Sequence, residues 1–204
     1  MGWDGGQLKE LLLLSGGVDS TCVAAWRQPA GALAIDYGQR PAYGELMAAG
    51  AVAAALSIEF ATLRVDCSRI GSGLMAGGPI SDVAPSSEWW PYRNQLLVTM
   101  AAAWALPRGY QALILGSVQS DGFHADGRPE FYKTVDQLVA SQEGGLRVWA
   151  PAIEMSSADL LVQSGVPGSV LGWTMSCHRA PVACGDCPGC DKRRAVLTET
   201  GRLG

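Results

Sequence analysis

The chain has 204 residues, enough for one domain or one domain with a small appendage, and 48% of them are apolar, so a sizeable core can form. Its formal net charge of −4 argues against a protein that coats nucleic acid, and Lys192-Arg193-Arg194 is the only dense basic run. No apolar run approaches the ~18 residues that cross a bilayer. The N-terminal MGWDGGQLKE has neither the basic region nor the long apolar segment of a signal peptide, and Gly6 stands where a myristoylation signal carries Ser or Thr. A cytoplasmic protein is expected, with no membrane contact and no strong nucleic-acid binding.

Residues 11–14, four leucines, read as a buried parallel strand. Residues 20–28 read as a short helix ended by Pro29, 32–35 as a second strand, and 41–56 as an alanine-rich helix with Pro41 near its first turn. A third strand is expected over 60–65. Residues 66–91 then turn to glycine, proline and serine, with the pair Trp89-Trp90; a connection so long and irregular is a candidate functional loop. A helix over 94–106 and a strand over 112–115 ending at Gly116 follow. A second long loop, 117–129, holds Asp121, His124 and Asp126. The chain closes with a helix over 130–141, a strand over 147–150, and helices over 158–162 and 191–199. Strands alternating with helices predict an α/β fold, a parallel sheet with helices on both faces.

In such a sheet ligands collect at the carboxyl ends of the strands. Ser15-Gly16-Gly17-Val18-Asp19-Ser20 sits at such an end and opens a helix. Glycines let backbone approach a ligand, and free N–H groups with the helix dipole favour an anion. Ser15, Ser20 and Thr21 add hydroxyls. The stretch is neither a Walker A loop, which needs a lysine, nor a G-x-G-x-x-G dinucleotide loop. SGGVDS after an apolar strand resembles the pyrophosphate loop of the adenylating ATP pyrophosphatases, which holds the leaving pyrophosphate while the α-phosphorus is attacked.

Near the C-terminus Cys177, Cys184, Cys187 and Cys190 are spaced C-x6-C-x2-C-x2-C, whereas Cys22 and Cys67 are isolated. Such a cluster in an intracellular protein favours metal over disulfides. Four thiolates suit a structural tetrahedral zinc ion with no position left for water. An iron–sulfur cluster or a redox dithiol is the alternative, and His178 could replace one thiolate. The expected organisation is a nucleotide-binding domain over 1–172 and a zinc-binding segment with a C-terminal helix over 173–204.

SGGVDST at 15–21, AIDYGQR at 34–40, YRNQLL at 92–97, DGRPEF at 126–131 and TMSC…CGDCPGC at 174–190 together resemble the 7-cyano-7-deazaguanine synthase (QueC) family over nearly the whole chain. The resemblance implies an adenine nucleotide alpha hydrolase-like fold of the ATP pyrophosphatase type, a structural four-cysteine Zn2+, and ATP with Mg2+. It implies an AMP-forming ligase that adenylates 7-carboxy-7-deazaguanine, forms the amide with ammonia, and dehydrates it to the nitrile for queuosine synthesis, in a homodimer. ATP would meet Leu14, Ser15, Gly16, Gly17, Val18, Asp19, Ser20 and Thr21, with Asp36, Tyr37 and Gly38 at its ribose or adenine, and Gly116. Ser15, Asp19, Ser20, Arg93 and Asp121 would carry the chemistry, Asp19 by positioning magnesium. Arg93 and Asn94 would bind phosphate or the substrate carboxylate, Asp121 the guanine-like edge, and Arg128 and Glu130 would organise the same pocket. Blander roles stand beside these: Asp36 as a helix-start cap, Arg93, Arg128 and Glu130 as structural residues, and Trp89 and Trp90 as apolar anchors of their loop.

Three positions depart from the family pattern. Pro41 stands where His is usual, Gly127 where Cys is usual, and MSSADLL at 155–161 lacks the usual lysine. These changes leave open a paralogue that stops at the amide or passes the deazaguanine acyl group to a protein amine, as in antiphage defence. A tRNA-modifying adenylase and a binding module without turnover are the remaining readings.

Overall fold

The computed structural model describes residues 8–202. The leader and myristoylation readings rest on residues 1–7, which lie outside the described residues. Five strands form one parallel sheet in the order β3-β2-β1-β4-β5. They are β1 (Glu10–Leu13), β2 (Gly31–Asp36), β3 (Phe60–Arg64), β4 (Ala112–Leu115) and β5 (Arg147–Trp149). The helices are α1 (Val18–Arg27), α2 (Ala42–Ala55), α3 (Gly73–Ala76), α4 (Arg93–Ala105), α5 (Pro129–Ala140), α6 (Ser157–Ser164), α7 (Gly168–Leu171) and α8 (Pro188–Glu199). Among the described residues no helix is long and apolar enough to cross a membrane.

Each inner strand is apolar on both sides, because successive side chains point to opposite faces. Leu12, Leu14, Ala32, Ala34 and Ile114 enter one core with α1, α2, α6 and α8. Leu11, Leu33, Ile35, Leu113, Leu115 and Val148 enter the other with α4 and α5. The chirality of the crossovers explains this division. Right-handed connections place α1 and α2 on one face while the chain runs from β1 to β3. They place α4 and α5 on the opposite face once it returns across the sheet to β4 and β5. The direction reverses beside β1, whose partners are β2 and β4. The crevice at such a reversal, outside the carboxyl ends of the strands, is where an open sheet takes its ligand.

Several elements differ from the expected bounds. α1 starts at Val18 rather than at residue 20, because Gly17 is its extended N-cap. Asp19 and Ser20 therefore lie in the helix's first turn. α8 starts at Pro188, ahead of residue 191, since proline suits the first helical position, where no N–H is needed. β1 is shifted by one residue and β5 ends at Trp149. The long 66–91 loop contains α3 and is pinned by Trp90, 1% exposed, whose ring meets Tyr37 edge-on at 4.9 Å. The short α7 has no periodic signal in sequence; it packs Val170 and Leu171 into the core.

Candidate active site and metal centre

A cleft of about 520 Å³ opens beyond β1 and β4, within the roughly 300–1,000 Å³ of small-molecule sites. The β1–α1 turn forms one wall. Ser15 and Ser20 hydroxyls lie 3.1 Å apart, Ser20 Oγ donates to the Gly17 carbonyl at 3.2 Å, and Gly17 N–H reaches Ser15 Oγ at 3.4 Å. The turn is held from outside by Met175 N–H, which donates to the Gly16 carbonyl at 2.9 Å. Gly116, just past β4, is forced to be glycine, because a Cβ there would stand 2.6 Å from Ser20 Cα. That close approach seats the start of α1 against the end of β4.

Beside the turn sits a charge cluster drawn from three distant segments. Lys192 Nζ, on α8, lies 2.9 Å from Asp19 Oδ2 and 2.9 Å from Asp121 Oδ1. Asp121 Oδ2 also accepts the Val118 N–H at 3.1 Å. Burial raises the Asp19 carboxyl above its usual range, and the Lys192 ammonium offsets part of that effect. Burial works against the charge of Lys192, but the two carboxylates outweigh it and raise the ammonium. Asp19 Oδ1 is buried without a close hydrogen-bond partner among the described residues, and the Ser157 hydroxyl also pulls the carboxyl down.

The far end of the cleft is built by Tyr37, Gln39, Glu45, Met75 and Arg93. Gln39 Nε2 donates to Glu45 Oε2 at 2.8 Å and its Oε1 accepts the Tyr37 N–H at 2.8 Å. Arg93 Nη1 reaches Met75 Sδ at 3.3 Å. Arg93 follows Tyr92, a non-glycine residue in the left-handed region with φ +53°. Such a conformation costs about 1 kcal/mol or more, and the packed loop must hold it. Asn94 donates N–H and Nδ2 to Asp126 at 3.0 and 2.7 Å, which ties the start of α4 to the second loop.

Burial pushes the Glu45 carboxyl up to about 7, against the pull of Gln39 and Arg93. The folded chain keeps a proton that the unfolded chain releases near 4.5. The stability that this group contributes is therefore present below about pH 4.5 and lost as pH rises through about 7. Glu45→Gln should flatten that loss. Melting temperatures taken between about pH 5 and about pH 8 should fall less in the variant than in the wild type; equal slopes would exclude this site as the source.

The structure brings Leu14, Ser15, Gly17, Val18, Asp19, Ser20, Tyr37, Arg93, Asn94, Gly116 and Asp121 to the cleft wall. It does not bring the other expected residues there. Thr21 is fully buried and does not line the cleft, and its hydroxyl has no hydrogen-bond partner among the described residues. Gly16 packs on α2 behind the turn. Asp36 accepts the Gly38 N–H at 3.0 Å and faces Arg64 at 3.4 Å, so Asp36 and Gly38 shape the bend that presents Tyr37. Arg128 Nε donates to the Gly122 carbonyl at 3.0 Å; Arg128 is exposed, as is Glu130 in the first turn of α5. Gly127 fits the second loop's tightness, since a Cβ there would lie 2.1 Å from the Asp121 carbonyl oxygen. The cleft also contains residues that sequence reasoning missed: Glu45, Ser176, His178 and Lys192. The one available signal for Lys192 was its position directly after the last cysteine turn.

The four cysteines converge: their sulfurs all lie within 4.8 Å of one another. Cys184 and Cys190 are 4.0 Å apart, as are Cys177 and Cys187. A tetrahedral ion with bonds of about 2.3 Å sets sulfurs about 3.8 Å apart, so the four sulfurs could hold a metal ion with little movement. The N–H of His178 points at Cys187 Sγ at 3.3 Å and that of Arg179 at Cys177 Sγ at 3.4 Å, which suits thiolates. His178 itself turns to the cleft, packed against Gly189.

A parallel sheet with Ser-Gly-Gly-Val-Asp-Ser at its switch point is a PP-loop ATPase fold, and beside its cleft stand four clustered thiols that could hold a metal ion. The family model described as "Queuosine biosynthesis protein QueC" matches residues 9–201, and the chain belongs to that family. It is 36% identical to a 7-cyano-7-deazaguanine synthase of Xanthomonas euvesicatoria pv. vesicatoria (strain 85-10) over 95% of this chain and 94% of that one. It is 37% identical to the proteins of the same name from Xanthomonas axonopodis pv. citri (strain 306) and Xanthomonas campestris pv. campestris (strain B100), with the same coverage.

Proposed function

We propose that the chain is an AMP-forming carbon–nitrogen ligase that converts 7-carboxy-7-deazaguanine to 7-cyano-7-deazaguanine with ATP and ammonia, in queuosine biosynthesis. The observation that carries this reading is the meeting, in one cleft, of the 15–20 turn with Arg93 and Asn94 across from it. A carboxylate is a poor electrophile. One of its oxygens bonds to the α-phosphorus as the bond to pyrophosphate breaks, and the leaving electron pair passes to pyrophosphate. On this reading the Gly17 N–H and the hydroxyls of Ser15 and Ser20 turn from their contacts within the loop to hold that charge, which donors fixed in place stabilise. Ammonia then adds to the acyl carbon, loses a proton and expels AMP, leaving the amide. The amide oxygen then bonds to the α-phosphorus of a second ATP as pyrophosphate leaves, and loss of AMP and the two amide protons leaves the nitrile.

The roles follow the cleft. The carboxylate of Asp19, on the cleft wall, suits Mg2+, which takes oxygen ligands. Arg93 binds the substrate carboxylate, and Asn94 sets the start of α4 that carries it. The carboxylate of Asp121 suits the donor edge of a guanine-like base, and Tyr37 adds an aromatic ring to the same wall. Asp36, Gly38, Arg128 and Glu130 act by shaping loops. The metal is Zn2+, supported by an all-sulfur set with no site for water, and it supplies no step. The nucleotide domain spans 1–172 and the zinc segment 173–204. Four unpaired cysteines in one cluster suit the reducing cytoplasm. A homodimer is proposed on family resemblance alone.

The test is a turnover assay of the purified chain with 7-carboxy-7-deazaguanine, MgATP and ammonium, the products read by mass spectrometry. Nitrile with AMP is expected. Amide without nitrile, or acyl transfer to a protein amine, would replace the second half of the reaction. No AMP from folded, metal-loaded protein would overturn the reading.

A further inference from the structure

We propose that Lys192 is the cation of the pyrophosphate loop: it binds the β- and γ-phosphates of ATP and the pyrophosphate that leaves. The inference rests on the adenylation reading above. The 15–21 turn has no basic residue, so its N–H and hydroxyl groups alone face a highly charged leaving group. Among the described residues, three cations line the cleft: Arg93, Lys192 and Arg193. Arg93 stands at the far end, against Met75. Arg193 turns back into the fold, donating to Thr174 Oγ1 at 3.0 Å and to the Leu171 carbonyl at 3.4 Å. Lys192 alone touches the turn, through Asp19 at 2.9 Å.

Its geometry suits a phosphate. An ammonium has three N–H donors, and Asp19 and Asp121 occupy two of them. The third remains for a ligand, and the side chain is 37% exposed on the cleft side. The two carboxylates hold the lysine in place before any nucleotide arrives, so less side-chain freedom is lost on binding. α8 supplies the reach. Cys187 is its N-cap and Cys190 lies in its first turn, so the sulfur cluster sets where Lys192 points. The metal module would thus deliver a catalytic residue as well as support the fold.

The alternative is that Lys192 only neutralises two acids. Titration calorimetry with ATP and with AMP separates the two, because AMP has no β- or γ-phosphate. Lys192→Met should weaken ATP binding roughly ten- to hundred-fold, the worth of one charge-assisted hydrogen bond. AMP affinity should change by less than about twofold, Lys192→Arg should restore most of the ATP affinity, and the exposed Lys133→Met should leave both unchanged. Lys192→Gln, which keeps donors to both carboxylates, serves if Lys192→Met does not fold. Equal losses for ATP and AMP, or none for either, would overturn the proposal. A wild-type chain that binds neither nucleotide would overturn the adenylation reading and this inference with it.

Discussion

Gly16→Ala is expected to lower the melting temperature by roughly 10 °C or more and to remove nucleotide binding with it. Gly16 has φ +79°, the left-handed region that costs an alanine about 1–2 kcal/mol. Its added Cβ would stand 2.7 Å from Ala48 Cβ, 2.8 Å from Ala49 N and 2.9 Å from the Glu45 carbonyl oxygen. Two of those atoms are backbone of α2 and cannot step aside, so overpacking adds about 1–3 kcal/mol. Against a total stability of about 5–15 kcal/mol this is a large fraction. The neighbouring Gly17→Ala gives the contrast. Gly17 has φ −74°, and its added Cβ would meet nothing nearer than 3.5 Å. That variant should fold almost normally, yet it faces the cleft and should lose ATP affinity. Thermal melts and ATP titrations of the pair check both halves. A stable Gly16→Ala chain would show that the turn is looser than described.

Metal removal should have the second large effect. Chelation, or Cys187→Ser, takes away the ion's contribution to folding in a segment whose core is little more than Cys177, Cys187, Cys190, Met175 and Ala180. Several kcal/mol should be lost, and the damage should spread. α8 also sends Val196 and Leu197 into the main core, and Met175 N–H holds the Gly16 carbonyl. Thiol titration reads the change directly. In the loaded protein Cys67, partly exposed, should react. Cys22 should not, because it is fully buried and burial pushes its thiol up to about 12. After chelation the four cluster thiols should join Cys67. Four thiols that react freely before chelation would exclude a bound metal there.

The two predictions share a physical reason with what could be read from sequence. Local features were legible. The run 112–115 is apolar throughout and stops at Gly116, and β4 has those bounds. SGGVDS marked the turn because glycine and hydroxyl chemistry is local. C-x6-C-x2-C-x2-C marked the cysteine cluster because short spacings must bend around one point. Boundaries shifted where capping decided them, as at Gly17 and Pro188.

What the sequence by itself determined was the class of fold, the Ser-Gly-Gly turn and the four thiols, since each is encoded within a few neighbouring residues. Tertiary structure alone decided the rest. The strand order 3-2-1-4-5 depends on where the crossovers reverse, and no local signal records that. Asp36 and Tyr37 are adjacent in sequence, yet the first faces Arg64 outside the cleft and the second lines it, because neighbouring residues at a strand end diverge. Lys192 reads as one member of a basic run. Only the packing of α8 over the β1–α1 turn sets its ammonium between Asp19 and Asp121, across chain separations that no periodicity or spacing can measure.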